Sequence, residues 1–180
     1  MRKHNGMRPQ DIVILLAIIS NKKKDWFIKD LANSLSISQS EVSESLNRSQ
    51  VAGLIDHNKR RVNRHALYEF LQFGLPYVFP VQPGPVVSGV PTAHSHPLLK
   101  DKIISDQYYV WPEQGGPVRG FAIEPLYSKQ VKAVKENSEL YKLLAMVDVL
   151  RVGNRRETKL AIDILNSNIL HEPSSEHHQD

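Results

Sequence analysis

Gln39, Ser40, Ser43, Asn47 and Arg48 are read as the outward side of one helix, and each is a residue type able to bond a base edge or a phosphate. Ser38 stands immediately before this group and Glu44 lies within it. Further along come four cations within six residues, Lys59, Arg60, Arg61 and Arg64. Cations so crowded suit a phosphate backbone, where attraction comes from charge neutralisation. The plainer readings are a solvated polar face and an exposed basic loop. Against the first stands the scarcity of the Lys/Glu pairing that a purely solubilising helix face carries.

Charge placement points the same way. The chain of 180 residues has a formal net charge of +4, but residues 1–75 hold 12 Lys+Arg against 7 Asp+Glu, and residues 76–180 hold 11 against 12. The positive excess belongs to the first part, which a polyanion would meet first. Cysteine is absent, so disulfides, thiolate zinc sites and cysteine nucleophiles are excluded, in keeping with a reducing compartment. The longest apolar run, Ile12 to Ile19, is far below the roughly 20 residues that span a bilayer, and lysines follow it where a signal peptidase site would stand. A cytoplasmic protein without a membrane segment is expected.

Other chemistry-bearing groups are weaker. His94 and His96 would share one face of a strand and could bind a metal, but no third ligand is fixed by spacing, so no metal and no cofactor is expected. Gly115-Gly116-Pro117-Val118-Arg119-Gly120 lacks the Lys-Ser/Thr of a phosphate-binding loop and does better as a turn. Arg151, Arg155 and Arg156 suit a basic helix junction, with phosphate or an acidic partner as the functional alternative. Nothing in the order of residues argues for a catalytic triad, and an enzyme is not expected.

The elements that must position these groups are legible from periodicity. Pro9 and Asp11 open a first helix to Ser20 that is apolar on every side and asks for burial in the core or in a dimer interface. Leu31, Ala32 and Leu35 mark a second helix, which breaks at Ser36-Ile37. Ser38 and Glu41 form a capping box for a third helix, locked by Val42 and Leu46 and ended by Gly53. A fourth is expected from Asn63 to a terminating Gly74. Pro76, Pro80, Pro83, Pro85, Pro91 and Pro97 then impose a strap over 76–106, whose interleaved Val, Tyr and Phe residues predict that it lies ordered against protein. Tyr109-Val110-Trp111 and Val118 to Ile123, either side of a Gly-Gly-Pro turn, predict a β-hairpin. Two helices follow, about 138–151 and 154–170, before a polar, disordered tail over 171–180.

Leu31 to Ile55, with support helix, tight turn and locked second helix, resembles the winged-helix family of bacterial transcription regulators, including the multiple-antibiotic-resistance regulator type. Ser36 stands where that family often has Gly, Glu44 where it is often basic, and Ser49 where it commonly has an aliphatic residue, which suggests a looser helix end. Glu44 would repel phosphates yet accept from a cytosine amino group. The resemblance implies a β-hairpin wing on the backbone, for which only Asp56 to Val62 is available. The expected architecture is α+β and mainly helical: a winged-helix-like domain over 9–75, the Pro-rich strap over 76–106, and a hairpin with a helical pair over 107–170 for dimerisation or partner binding. The expected function is that of a sequence-specific regulator binding double-stranded DNA as a homodimer, through Ser38, Gln39, Ser40, Ser43, Asn47, Arg48, Lys59, Arg60, Arg61 and Arg64. An antitoxin-like module that neutralises a protein partner is the alternative. A nucleic-acid-processing enzyme using His94 and His96 ranks third.

Overall fold

The structure is a computed structural model that describes residues 6–21 and 25–171. The lysines at 22–24, the first five residues and nearly all of the expected tail lie outside the described residues. The fold is α+β and mainly helical, in the order α1 (Pro9–Ser20), α2 (Ile28–Leu35), α3 (Gln39–Val51), α4 (Arg64–Glu69), a π-helical turn (Phe70–Gly74), α5 (Leu75–Val78), β1 (Val86–Pro91), a 3-10 turn (Ala93–Ser95), β2 (Tyr109–Pro112), β3 (Val118–Ala122), α6 (Gln130–Lys135), α7 (Ser138–Val152) and α8 (Arg155–Ile169).

Pro9 opens α1 in the first turn, where its missing N–H costs no hydrogen bond, and the Asp11 carboxylate accepts the Arg8 N–H at 2.8 Å. From Ile12 to Ile18 the helix is buried on every side, between α2 and α3 on one flank and α7 on the other. Its apolar surface is therefore covered within the chain and offers no face to a second copy. Burial continues through α7, where every residue from Leu143 to Leu150 is inside, including Asp148. One buried cluster joins side chains of α1, α2, α3, α4, α7 and α8 with Trp111 and Ile123, so it spans both sides of the compositional change near residue 76.

Gly74 does not stop the fourth helix. Its φ of −107° is not the left-handed value of a C′ glycine, and the chain passes through the π turn into α5. An inserted residue widens the turn without breaking the helix, which periodicity does not show.

The expected hairpin is also replaced. β2 and β3 run parallel, Tyr109 opposite Phe121, and both pair antiparallel with β1: Gly89–Pro91 against β2, Val86–Gly89 against β3. The three strands close on one another. The loop between β2 and β3 carries the chain across β1 rather than reversing it, and the crossing needs glycine on both sides. A Cβ on Gly116 would lie 2.5 Å from the Gly89 Cα, and one on Gly89 would lie 2.1 Å from the Trp111 carbonyl oxygen. The strap supplies the shared strand β1, flanked by prolines that mask it in the sequence. It is ordered, with Thr92, Ala93, His94, His96 and Leu99 buried.

Candidate nucleic-acid interface

Leu31, Ala32 and Leu35 turn the inner face of α2 onto Val42 and Leu46 of α3. Between the helices Ser36 adopts the left-handed conformation, φ 53° and ψ 42°, and the Ile37 N–H reaches back to the Ala32 carbonyl at 3.0 Å. A left-handed residue tightens the turn enough to bring α3 across α2, at a steric cost that Gly would not incur. The capping box forms as expected: the Ser38 hydroxyl accepts the Glu41 N–H and the Glu41 carboxylate accepts the Ser38 N–H, both at 3.1 Å. Ser38 thus closes the helix end with the side chain that was expected to face DNA.

Gln39, Ser40, Ser43 and Asn47 are exposed along the outer face of α3, with Glu44 beside them. Arg48 is not. Its guanidinium turns inward and grips buried Asp11 with two hydrogen bonds, Nε to Oδ2 at 2.9 Å and Nη2 to Oδ1 at 2.6 Å, leaving the side chain 11% exposed. The hydrogen bond to Asp11 raises the Arg48 pKa against the opposing pull of burial, so this arginine holds α3 to the N-terminus of α1. Ser45 and Ser49 complete the inner face, fully buried, with neither hydroxyl hydrogen-bonded among the described residues. Ser49 does not loosen the helix end; its carbonyl accepts the Leu54 N–H at 2.9 Å as the chain turns through left-handed Gly53.

After that turn a single β-bridge, Ile55 to Val62, closes a short loop in place of a full wing. Asp56 organises it. Its N–H donates to the Arg61 carbonyl at 2.9 Å, and its carboxylate accepts the N–H groups of Arg60 at 2.7 Å and Arg61 at 3.1 Å. Slight desolvation pushes the Asp56 pKa up, but these backbone donors outweigh it and hold it below the ordinary carboxylate value. Trp26, buried beneath, donates its indole N–H to the Arg60 carbonyl at 3.2 Å, while the Arg60 guanidinium lies 4.6 Å over the ring.

The loop is also tied to α3. Gln50 Nε2 donates to the His57 carbonyl at 3.2 Å, and the Lys59 ammonium donates to Asn47 Oδ1. Lys59 therefore touches the exposed polar face of α3, with Arg60 and Arg61 following it in the same loop. Arg64 departs from this group, since its guanidinium donates to the Ile169 carbonyl at the end of α8 at 2.8 Å. Trp26, Gln50 and Asp11 were missed by sequence reasoning. Each acts through a partner 7 to 37 residues away, and no local pattern signals such a partner.

His94 and His96 are not alternate residues of a strand. They occupy the 3-10 turn and its end and look in different directions: His94 Nε2 bonds the Gln107 carbonyl at 2.7 Å with Nδ1 3.8 Å from Glu157, whereas His96 Nδ1 accepts the Leu98 N–H at 3.1 Å and its ring meets Tyr141 edge-on. Burial, with Lys142 adding, lowers the His96 pKa to about 4. Among the described residues no three His, Asp or Glu side chains gather as a metal site. Arg151 is committed internally, donating to Asp148 at 2.8 Å and to the carbonyls of Phe79 and Glu124. Arg155 and Arg156 remain exposed at the start of α8. No family model matches the chain, and no curated protein or solved structure matches it.

Proposed function

We propose that the chain is a sequence-specific DNA-binding transcriptional regulator that works as a homodimer in the cytoplasm, with α3 entering the major groove and the 56–61 loop resting on the adjacent backbone. The observation that carries this reading is the contact between Lys59 and Asn47, which sets a basic loop against an outward polar helix face. α3 is long enough to lie in a groove about 12 Å wide and deep enough for a helix. Gln39, Ser43 and Asn47 would face base edges, while Arg60 and Arg61 would face phosphates. Ser38 and Arg48 act as braces for that surface, and Arg64 as a brace to α8. Binding rather than catalysis is the activity proposed.

A second reading, an antitoxin-like module that neutralises a protein partner, draws on a different surface. Phe73, Tyr77 and Val78 are 66%, 85% and 52% exposed along the π turn and α5. Large apolar side chains grouped in this way mark a protein contact. In the regulator reading the same surface joins two copies.

The test is selection from a random duplex pool followed by salt titration on the selected and on random DNA. Alanine at Gln39 or Ser43 costs about 1 to 3 kcal/mol on the selected site and much less on random DNA. Alanine at Arg60 or Arg61 weakens both alike and makes the salt slope shallower by about one unit. Failure to bind any duplex at low salt would reject the regulator and favour the protein-partner reading.

A further inference from the structure

We infer that Asn47 and Lys59 act as one composite donor that selects guanine, an inference that rests on the DNA-binding reading above. A lone asparagine on a recognition helix prefers adenine, because its amide oxygen accepts from N6 while its nitrogen donates to N7. Asn47 is not alone. The Lys59 ammonium donates to its Oδ1, so the loop engages the oxygen, while the amide N–H2 belongs to an exposed residue of α3.

The loop holds this arrangement before any DNA arrives. Lys59 sits at φ +56° with its N–H bonded to the Asp56 carbonyl at 2.9 Å. Asp56 gathers the N–H groups of Arg60 and Arg61, Trp26 supports the Arg60 carbonyl, and Gln50 holds the His57 carbonyl. The lysine stem is thus anchored on a closed loop, and its ammonium reaches α3 from a fixed origin.

An ammonium carries three N–H donors and no acceptor, so one bond to Asn47 leaves two, beside the two of the amide. The amide oxygen keeps one lone pair beside the bond it accepts, so the pair presents four donors against one remaining acceptor site. In the major groove guanine offers two acceptors, N7 and O6, whereas adenine and cytosine place an amino group against such a surface and thymine offers O4 alone. Guanine is the edge that satisfies the pair. Without Lys59 the amide oxygen is released, and the same asparagine reverts to adenine.

The experiment is selection from a random duplex pool with the full chain, run for the wild type, Asn47→Ala and Lys59→Met, each checked for an unchanged thermal transition. The column that Asn47→Ala flattens should be guanine in the wild type, preferred by about 5- to 150-fold, and should move to adenine in Lys59→Met. Three results overturn the composite donor while leaving the regulator standing: a wild-type column of adenine, a guanine column untouched by Asn47→Ala, or a Lys59→Met variant that loses affinity equally on all sequences with its motif unchanged. The last marks Lys59 as a phosphate contact. Recovery of no motif overturns both readings together.

Discussion

Arg48 grips Asp11 across two helices in the N-terminal part of the chain, whereas Arg151 grips Asp148 within α7 of the C-terminal part. The second pair sits in a saturated network. Asp148 is wholly buried and accepts from Thr92 at 2.8 Å and from the Trp111 indole at 2.6 Å as well as from Arg151, while Arg151 goes on to two backbone carbonyls. Burial pushes the Asp148 pKa up, and Arg151, Thr92 and Trp111 oppose the shift. In the first pair a single arginine fixes the inner edge of α3, and Gln39, Ser40, Ser43 and Asn47 are left outside. Asp148, Thr92, Trp111 and Arg151 spend their polar groups on joining strands to helices; on α3, Gln39, Ser40, Ser43 and Asn47 stay exposed. The difference is one of exposure: the outer face of α3 stays open to solvent, whereas the Asp148 network is enclosed.

Breaking the saturated network gives the largest expected effect. Asp148→Ala leaves the Arg151 charge, the Trp111 N–H and the Thr92 hydroxyl without their common acceptor, and loses about 3 to 5 kcal/mol in urea unfolding. A loss below about 1 kcal/mol would show the network to be ornamental.

Arg48→Met tests the other pair. It strands the Asp11 carboxylate and costs about 3 kcal/mol, much of it restored in the double variant Asp11→Asn, Arg48→Met, because the asparagine keeps the acceptor for the Arg8 N–H. The DNA salt slope of the refolded single variant matches that of the wild type, in contrast to Arg60→Ala; a slope shallower by about one unit would return Arg48 to the phosphate-binding set.

Acid sharpens the comparison from the C-terminal side. His96 is neutral in the folded protein down to about pH 4 but titrates at the ordinary 6.5 when unfolded. The unfolded chain therefore takes up the proton first, and the His96 contribution, full above about pH 6.5, is lost as the pH falls towards 4. Between pH 7 and pH 5 the loss from this residue is about 2 kcal/mol. His96→Asn keeps an acceptor for the Leu98 N–H and removes the titration, so its urea midpoint changes less between the two pH values. An unchanged difference would place the acid sensitivity elsewhere.

The smallest effect lies in the turn between α2 and α3. Ser36→Gly relieves the left-handed serine at φ 53° and raises stability by about 0.5 kcal/mol, steric relief being partly offset by the extra freedom of glycine in the unfolded chain. A lower thermal midpoint would mean that Ser36 contributes contacts beyond its backbone shape.

What the sequence by itself determined lies within about four residues of its cause. The box of Ser38 with Glu41, the left-handed Gly53, the Asn63 cap on the Ala66 N–H, and the apolar periods of α1, α3, α7 and α8 each rest on a neighbour one helical turn away or nearer. Residue type and spacing fix such interactions whatever the rest of the chain does. Which polar side chains would face outward was decided only by the tertiary structure. Arg48 lies on a flank of α3, half a turn round from Gln39, where spacing lets it point either way; the inward choice comes from Asp11, 37 residues earlier. The strand in the strap needed β2 and β3 to reveal it, since a strand is defined by partners and prolines on its flanks removed its own signal. Asp148 met Thr92 across 56 residues, and Arg64 met Ile169 across 105. Local chemistry selects helices because their hydrogen bonds close within one turn, whereas buried charges and sheet pairings find their partners only when the whole chain collapses and unpaired polar groups become too costly to leave inside.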